Sequence, residues 1–347
     1  MGSDSRINME EASSVAPQRQ ARRIPWLDTA RGIGIILVVV AHAQRGLIKA
    51  DILTPAPSHF AADATIYAFH MPLFFLLAGL HVGNGLKAGR TAYFTDKLVT
   101  IVWPYALWSL LHICTVMMVG SVNQPLGVAD MLTLPWIPVA QFWFLYALFL
   151  CHLVALAVWP NRTSLIGLAM LFVLIQAFLG IGNVVLHAMQ MFPFFAIGAL
   201  GGSRLIKQVD DIPPLTAGII MLVGWLCLAM SRLSVDVAPN GASDPIIIFY
   251  AGAAAGIAGV IGLSVLIGDR ARWLQRMGQA SMAIYVTHTF FAAGLRIAAR
   301  KSGLEIDPNV MLVASSLISL FAPLLVYEIA GRLNITTPLG LGRYVRR

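Results

Sequence analysis

From Gly32 to Ala41 the chain reads GIGIILVVVA, a run without a polar side chain. With its flanks, Pro25 to Ala43, it reaches the roughly 20 residues that cross a bilayer as a helix. Three ionisable residues, Asp28, Arg31 and His42, border the run. At about 100° and 1.5 Å per residue, Arg31 and His42 fall within roughly 20° of one face and about 16 Å apart along the axis. Asp28 lies one turn before Arg31. Charges cost free energy in hydrocarbon, so a one-sided row of them must face protein or water. The stretch therefore reads as one wall of a functional site.

The remainder of the chain has the same character. Its 347 residues are 58% hydrophobic and 12% charged, too apolar for a soluble domain. The expectation is an all-α, polytopic membrane bundle of about ten transmembrane helices, near 26–48, 65–83, 98–119, 141–159, 164–181, 186–202, 214–231, 245–268, 279–296 and 309–331. The polar stretch with Asp51, Pro55, Pro57, His59 and Asp63 is expected to form an external loop before the second span, which Pro72 is expected to kink or break. The Lys and Arg residues between spans fall nearly three to one on the face that also holds residues 1–24. Both termini are accordingly expected in the cytoplasm. Residues 1–24 lack the apolar core of a signal peptide, and Arg6 stands where a myristoylation motif needs Ser or Thr. They read as a disordered cytoplasmic tail, 25–335 as one membrane domain, and 336–347 as a basic cytoplasmic tail.

The net charge of +8 is spread between apolar runs, so topology accounts for it and no nucleic-acid partner is implied. Cys114, Cys151 and Cys227 have no metal-ligand spacing, and neither a metal nor a disulfide framework is expected. Walker-type loops, HExxH and GxSxG are missing from the sequence, leaving histidine as the simplest chemical group.

On this topology the first helix runs outward and the second inward. His70 then comes to the depth of His42, and His81, eleven residues later, to that of Arg31. Asp28 and Arg31 mark the inner mouth, where Lys97 also belongs, in a basic loop with Lys87 and Arg90. Each assignment has a structural counterpart. His42 is either a satisfied membrane histidine or a base, and Asp28 either pairs with Arg31 at i, i+3 or leaves it to hold an anion. His70 and His81 either satisfy backbone carbonyls or line the site. Ser281, Tyr285 and His288 share a helical face as packing groups or as site residues. Trp143, with Trp136, Phe142 and Tyr146, belongs either to an aromatic belt or to a sugar-stacking surface.

Several stretches resemble the membrane-bound acyltransferase 3 family, in particular its branch similar to fucose 4-O-acetylases. They are WLDTARGIGIILVVVAHA at 26–43, FHMPLFFLLAGL at 69–80, WPYALWSL at 103–110, QFWFLYALFL at 141–150 and MGQASMAIYVTH at 277–288. The family's hallmark, an Arg and a His separated by ten residues in the opening helix, maps onto Arg31 and His42. The resemblance implies transfer of an acyl group, usually acetyl from cytoplasmic acetyl-CoA, to a sugar hydroxyl of an envelope polysaccharide or lipid-linked glycan. It maps the essential histidine onto His42 and the arginine onto Arg31, with Asp28 before them; His42 and Asp28 are the expected catalytic residues, His42 as general base, and Arg31 lies near the donor. Two positions depart from the family pattern: Ala78-Gly79 replaces Ser-Gly, and Lys97 replaces an Arg. A secondary transporter with Asp28, Arg31 and the histidines as a relay is the alternative from another class.

Overall fold

The computed structural model describes residues 24–119, 126–179, 182–233, 245–303 and 305–344. The tail expected at 1–24 lies, apart from Ile24, outside the described residues, as do the last three residues of the C-terminal one. The described chain is helical: α1 Pro25–Lys49, α2 Pro57–Gly79, α3 Val82–Leu86, α4 Arg90–Lys97, α5 Trp103–Val119, α6 Val128–Thr133 and α7 Trp143–Val158 come first. There follow α8 Arg162–Leu179, α9 Val184–Asp210, α10 Pro214–Leu233, α11 Ile246–Ile267, α12 Arg272–Gln279, α13 Ser281–Ser302 and α14 Pro308–Arg332. Ten stretches among the described residues are long and apolar enough to cross a membrane.

Helices α1 and α2 form the centre. In their apolar windows 61% and 67% of residues are buried, against 11% for α8 and 17% for α10, where leucines such as Leu174 and Leu222 face outward. The second half of α2, from Met71 to Gly79, is apolar on every side, as suits an interior helix. α1 packs against α2, α11, α12, α13 and α14, while α2 packs against α9 and α11. The helix runs unbroken through Pro72. It also begins at Pro57, eight residues before the expected start, so His59 and Asp63 are helical rather than part of an external loop. The basic loop expected through Lys97 is helical too: α4 passes through a π-helical turn, Leu98–Val102, into α5.

Small residues set the spacing. A Cβ on Gly79 would stand 2.1 Å from the Phe195 carbonyl oxygen, and one on Gly198 would stand 2.1 Å from that of Leu76. α2 and α9 thus touch through their backbones, the close approach that drives association where lipid removes the hydrophobic effect. α1 meets α12 similarly, because Cβ atoms on Gly32 and Gly278 would fall 2.1 and 1.9 Å from the carbonyl oxygens of Leu274 and Asp28. At Gly202, α9 breaks with φ 47° and ψ −136°, a conformation that suits only glycine.

The Gly79–Gly198 contact makes a prediction. Gly79→Ala should destabilise the protein by about 1–3 kcal/mol through overpacking. Gly167→Ala on α8, where a Cβ meets nothing within 4 Å, should be neutral or stabilising. Thermal unfolding of both variants in detergent checks this, and equal midpoints would contradict it.

Candidate active site

At one end of α1, Nη2 of Arg31 donates to Nε2 of His81 over 3.1 Å. An arginine has only donors, so His81 accepts and carries its own proton on Nδ1. One of five guanidinium donors is engaged in this bond. Asp28 is bonded not to Arg31 but to Gln279, whose Nε2 donates to Oδ2 over 2.9 Å. Gln279 in turn accepts from Arg276 Nη1 at 2.8 Å. Arg276 forms a fork with Glu328, which also accepts from the Tyr344 hydroxyl at 2.9 Å. The backbone contact at Gly278 is what brings its neighbour Gln279 under Asp28. Burial opposes the charge on Arg276, and the bond and charge of Glu328 more than offset this, raising its pKa above the ordinary arginine value.

Lys97 stands at the same end. Its Nζ pairs with Asp96 at 2.9 Å and lies 5.1 Å from the centroid of the Tyr93 ring. Asp96 also takes Arg343 at 2.5 Å, and His81 feels the charges of both Arg31 and Lys97. Residues 336–344 fold back against the bundle here. The indole N–H groups of Trp103 and Trp108 donate to the carbonyls of Pro338 and Leu339, each at 2.9 Å.

At the other end of α1 three imidazoles converge. The His42 ring centroid lies 5.1 Å from that of His288 and 6.3 Å from that of Tyr67, and Tyr67 meets His70 edge-on at 4.6 Å. Each histidine donates Nδ1–H to a carbonyl of its own helix: His42 to Val38 at 2.8 Å, His70 to Ile66 at 2.7 Å and His288 to Tyr285 at 2.7 Å. A carbonyl can only accept, so in the neutral ring the lone pair sits on Nε2. Nε2 of His70 and of His288 is buried with no partner, whereas His42 is partly exposed. Arg45 closes the outer side, its guanidinium 3.5 Å above the Tyr67 ring and forked onto Asp63 at 2.7 and 2.6 Å.

The expected residues thus divide. Asp28, Arg31, His81 and Lys97 gather at one end, and His42, His70 and His288 at the other. Tyr285 lies beside the second group, its centroid 6.3 Å from that of His288, but its hydroxyl donates to the Gln141 carbonyl. Trp143 packs against His187 at 5.2 Å, and Ser281 begins α13, seven residues short of His288; neither reaches the histidines. Sequence reading missed Arg45, Asp63 and Tyr67, and the chain from Gln279 through Arg276 to Glu328. Asp63, Tyr67 and His70 follow i, i+4, i+7 spacing on α2. That spacing is not visible when the Pro-containing stretch through Asp63 is read as a loop.

Ten apolar helical stretches among the described residues, with the charged and histidine-bearing α1 central among them, define a multi-pass membrane protein with polar groups at both ends of that helix. The chain belongs to the acyltransferase 3 family, whose model, described as an acyltransferase domain, matches residues 24–328. It is 27% identical over 196 residues to the nodulation protein NolL of Sinorhizobium fredii (strain NBRC 101917 / NGR234), an alignment covering 53% of this chain and 50% of that one. The chain thus spans about half the length of this curated relative. No solved structure matches it.

The network beneath Asp28 is testable by stability. Arg276 is 6% exposed, and Glu328→Gln removes the charge that compensates it. The substitution should cost about 3 kcal/mol, the lower end for breaking a buried pair. Thermal unfolding would detect this, and a midpoint within error of wild type would show the pair to be dispensable.

Proposed function

We propose that this protein transfers an acyl group, acetyl in the first instance, from cytoplasmic acyl-CoA to a carbohydrate hydroxyl on the other side of a bacterial-type inner membrane. The observation that carries the reading is the tether of His42 Nδ1 to Val38, which leaves Nε2 as the basic atom on the helix that also carries Arg31. CoA phosphates would bind the cationic end at Arg31 and Lys97. The pantetheine arm would run up the α1 stripe, whose rise of about 16 Å suits its length.

His42 Nε2 would take the proton of the sugar hydroxyl as its oxygen attacks the thioester carbonyl carbon. Collapse of the tetrahedral intermediate breaks the C–S bond, and the proton on Nε2 passes to the departing thiolate. An acyl-histidine formed at Nε2 and then attacked by the sugar is the two-step variant. The lone pairs of His70 and His288 favour a proton held at His42. Asp28, bonded to Gln279, positions the inner end of α1 instead of touching the reacting atoms. Tyr285, with its proton given to Gln141, acts as a support for His288 rather than as an oxyanion donor.

Purified protein given radiolabelled acetyl-CoA and membrane glycans tests the reading. His42→Ala should lose about 10²–10⁴-fold in label transfer. Arg31→Ala should raise the KM for acetyl-CoA by about tenfold or more, and Arg31→Lys should fail to restore it, since the fork is lost. Undiminished transfer by His42→Ala would overturn the mechanism. CoA-independent uptake of a sugar or anion into proteoliposomes, without any label transfer, would favour the transporter.

Orientation has its own test. In a cysteine-free background, Lys87→Cys should react with an impermeant maleimide only from the cytoplasmic side. Ile137→Cys, whose parent residue is 61% exposed, should react only from outside. The reverse pattern would invert the topology.

A further inference from the structure

The end of α1 beyond His42 carries two arginines in opposite electrostatic states. Arg45 is neutralised by its fork to Asp63 and held flat on Tyr67. Arg296, on α13, has no carboxylate partner among the described residues, although it is only partly exposed. Its guanidinium lies across Gly46: a Cβ there would stand 2.8 Å from Nη1, 3.3 Å from Cζ and 3.6 Å from Nη2. Gly46 is one turn beyond His42, a rise of about 6 Å. His42 meets His288, and Arg296 lies two turns beyond His288 on the same helix. An unpaired guanidinium therefore overhangs the reacting histidine, reaching it because position 46 has no side chain.

Keeping a half-buried cation without a counter-ion costs free energy unless a ligand supplies the anion. The planar fork of arginine matches a carboxylate or phosphate. We infer that Arg296, lying over Gly46 one turn beyond His42, anchors an anionic group of the acceptor, so that the preferred acceptor is an acidic saccharide. The inference rests on the acyl-transfer reading above. Arg45 and Asp63 are already paired with each other and leave that anion to Arg296.

The test uses the full chain in detergent, radiolabelled acetyl-CoA, and glycans from the producing organism's membranes split by anion exchange into neutral and acidic fractions. Label should enter the acidic fraction. Arg296→Gln should raise the KM for that fraction by about tenfold or more, the value of a lost charge-assisted bond, with kcat changed far less. Arg296→Lys should recover part of the loss. Mild acid, which cleaves glycosyl phosphates, and carbodiimide–borohydride reduction, which removes carboxylates, distinguish the two sources of the anion, since only one treatment should abolish acceptor activity. Should Arg296→Gln fail to fold, Gly46→Ala displaces the guanidinium and should raise the same KM. Label confined to the neutral fraction, acceptor activity surviving both treatments, or an unchanged KM would overturn the inference while His42-dependent transfer still stood, leaving Arg296 an interfacial anchor. Absence of any label transfer or CoA release by wild type would instead sink the acyl-transfer reading, and this inference with it.

Discussion

A charged group inside a membrane must be given a partner or a purpose, and the contact between Arg31 and His81 meets this requirement at the centre of the protein. A guanidinium stays charged at any relevant pH, so the fold has to supply an acceptor at its depth. α2 does so by running antiparallel to α1. With eleven residues from Arg31 to His42 and eleven from His70 to His81, one register satisfies both ends: Arg31 bonds His81, and the His42 and His70 rings flank Tyr67. A register shifted by one residue would turn these side chains by about 100° and separate the partners.

This pairing was legible in the sequence because it depends only on helical rise and on opposite directions of travel. Its neighbours were less so. The network from Asp28 to Glu328 joins residues about 250 and 50 positions apart, through an amphipathic helix, α12, that contains no span of its own. Periodicity within one helix carries no information about such a closure. The i, i+3 spacing of Asp28 and Arg31 invites an ion pair, yet Gln279 takes the carboxylate and His81 the guanidinium. Tertiary partners outcompete local ones here because the glycine contact between α1 and α12 has already brought them within reach. Arg45 and Asp63 were missed for a different reason: a Pro-containing segment was assigned to a loop, although Pro57 stands at the first turn of α2, where its missing N–H costs nothing.

The histidines show how the same backbone that spans the membrane can also set chemistry. In each, Nδ1–H bonds a carbonyl on the preceding turn, an interaction available to any helical histidine with that rotamer. The bond fixes the ring and assigns the lone pair to Nε2 without needing a carboxylate partner. Two of these Nε2 atoms are buried without partners, a cost that a purely structural core would avoid by using an apolar residue. The third, on His42, is the one within reach of solvent. Burial therefore sets the His42 ring apart from the other two, and in the proposed mechanism it is the reacting one, a distinction that residue type alone did not provide.

The two ends of α1 also differ in how their cations are treated, and the difference follows the direction of the proposed reaction. At the Lys97 end, Asp96 is shared between Lys97 and Arg343, so positive charges outnumber the carboxylate that serves them. A site that must admit and release a polyanionic donor benefits from such an excess, since complete pairing would leave no attraction and rigid pairing would slow exchange. At the His42 end Arg45 is forked onto Asp63, and Arg296, without a carboxylate partner among the described residues, lies over Gly46. A cation placed directly against His42 would disfavour protonation of Nε2, the event that a general base must undergo. In the proposed mechanism, pairing Arg45 with Asp63 and placing the unpaired guanidinium one turn away, over Gly46, would leave His42 able to accept a proton while an anion is held nearby.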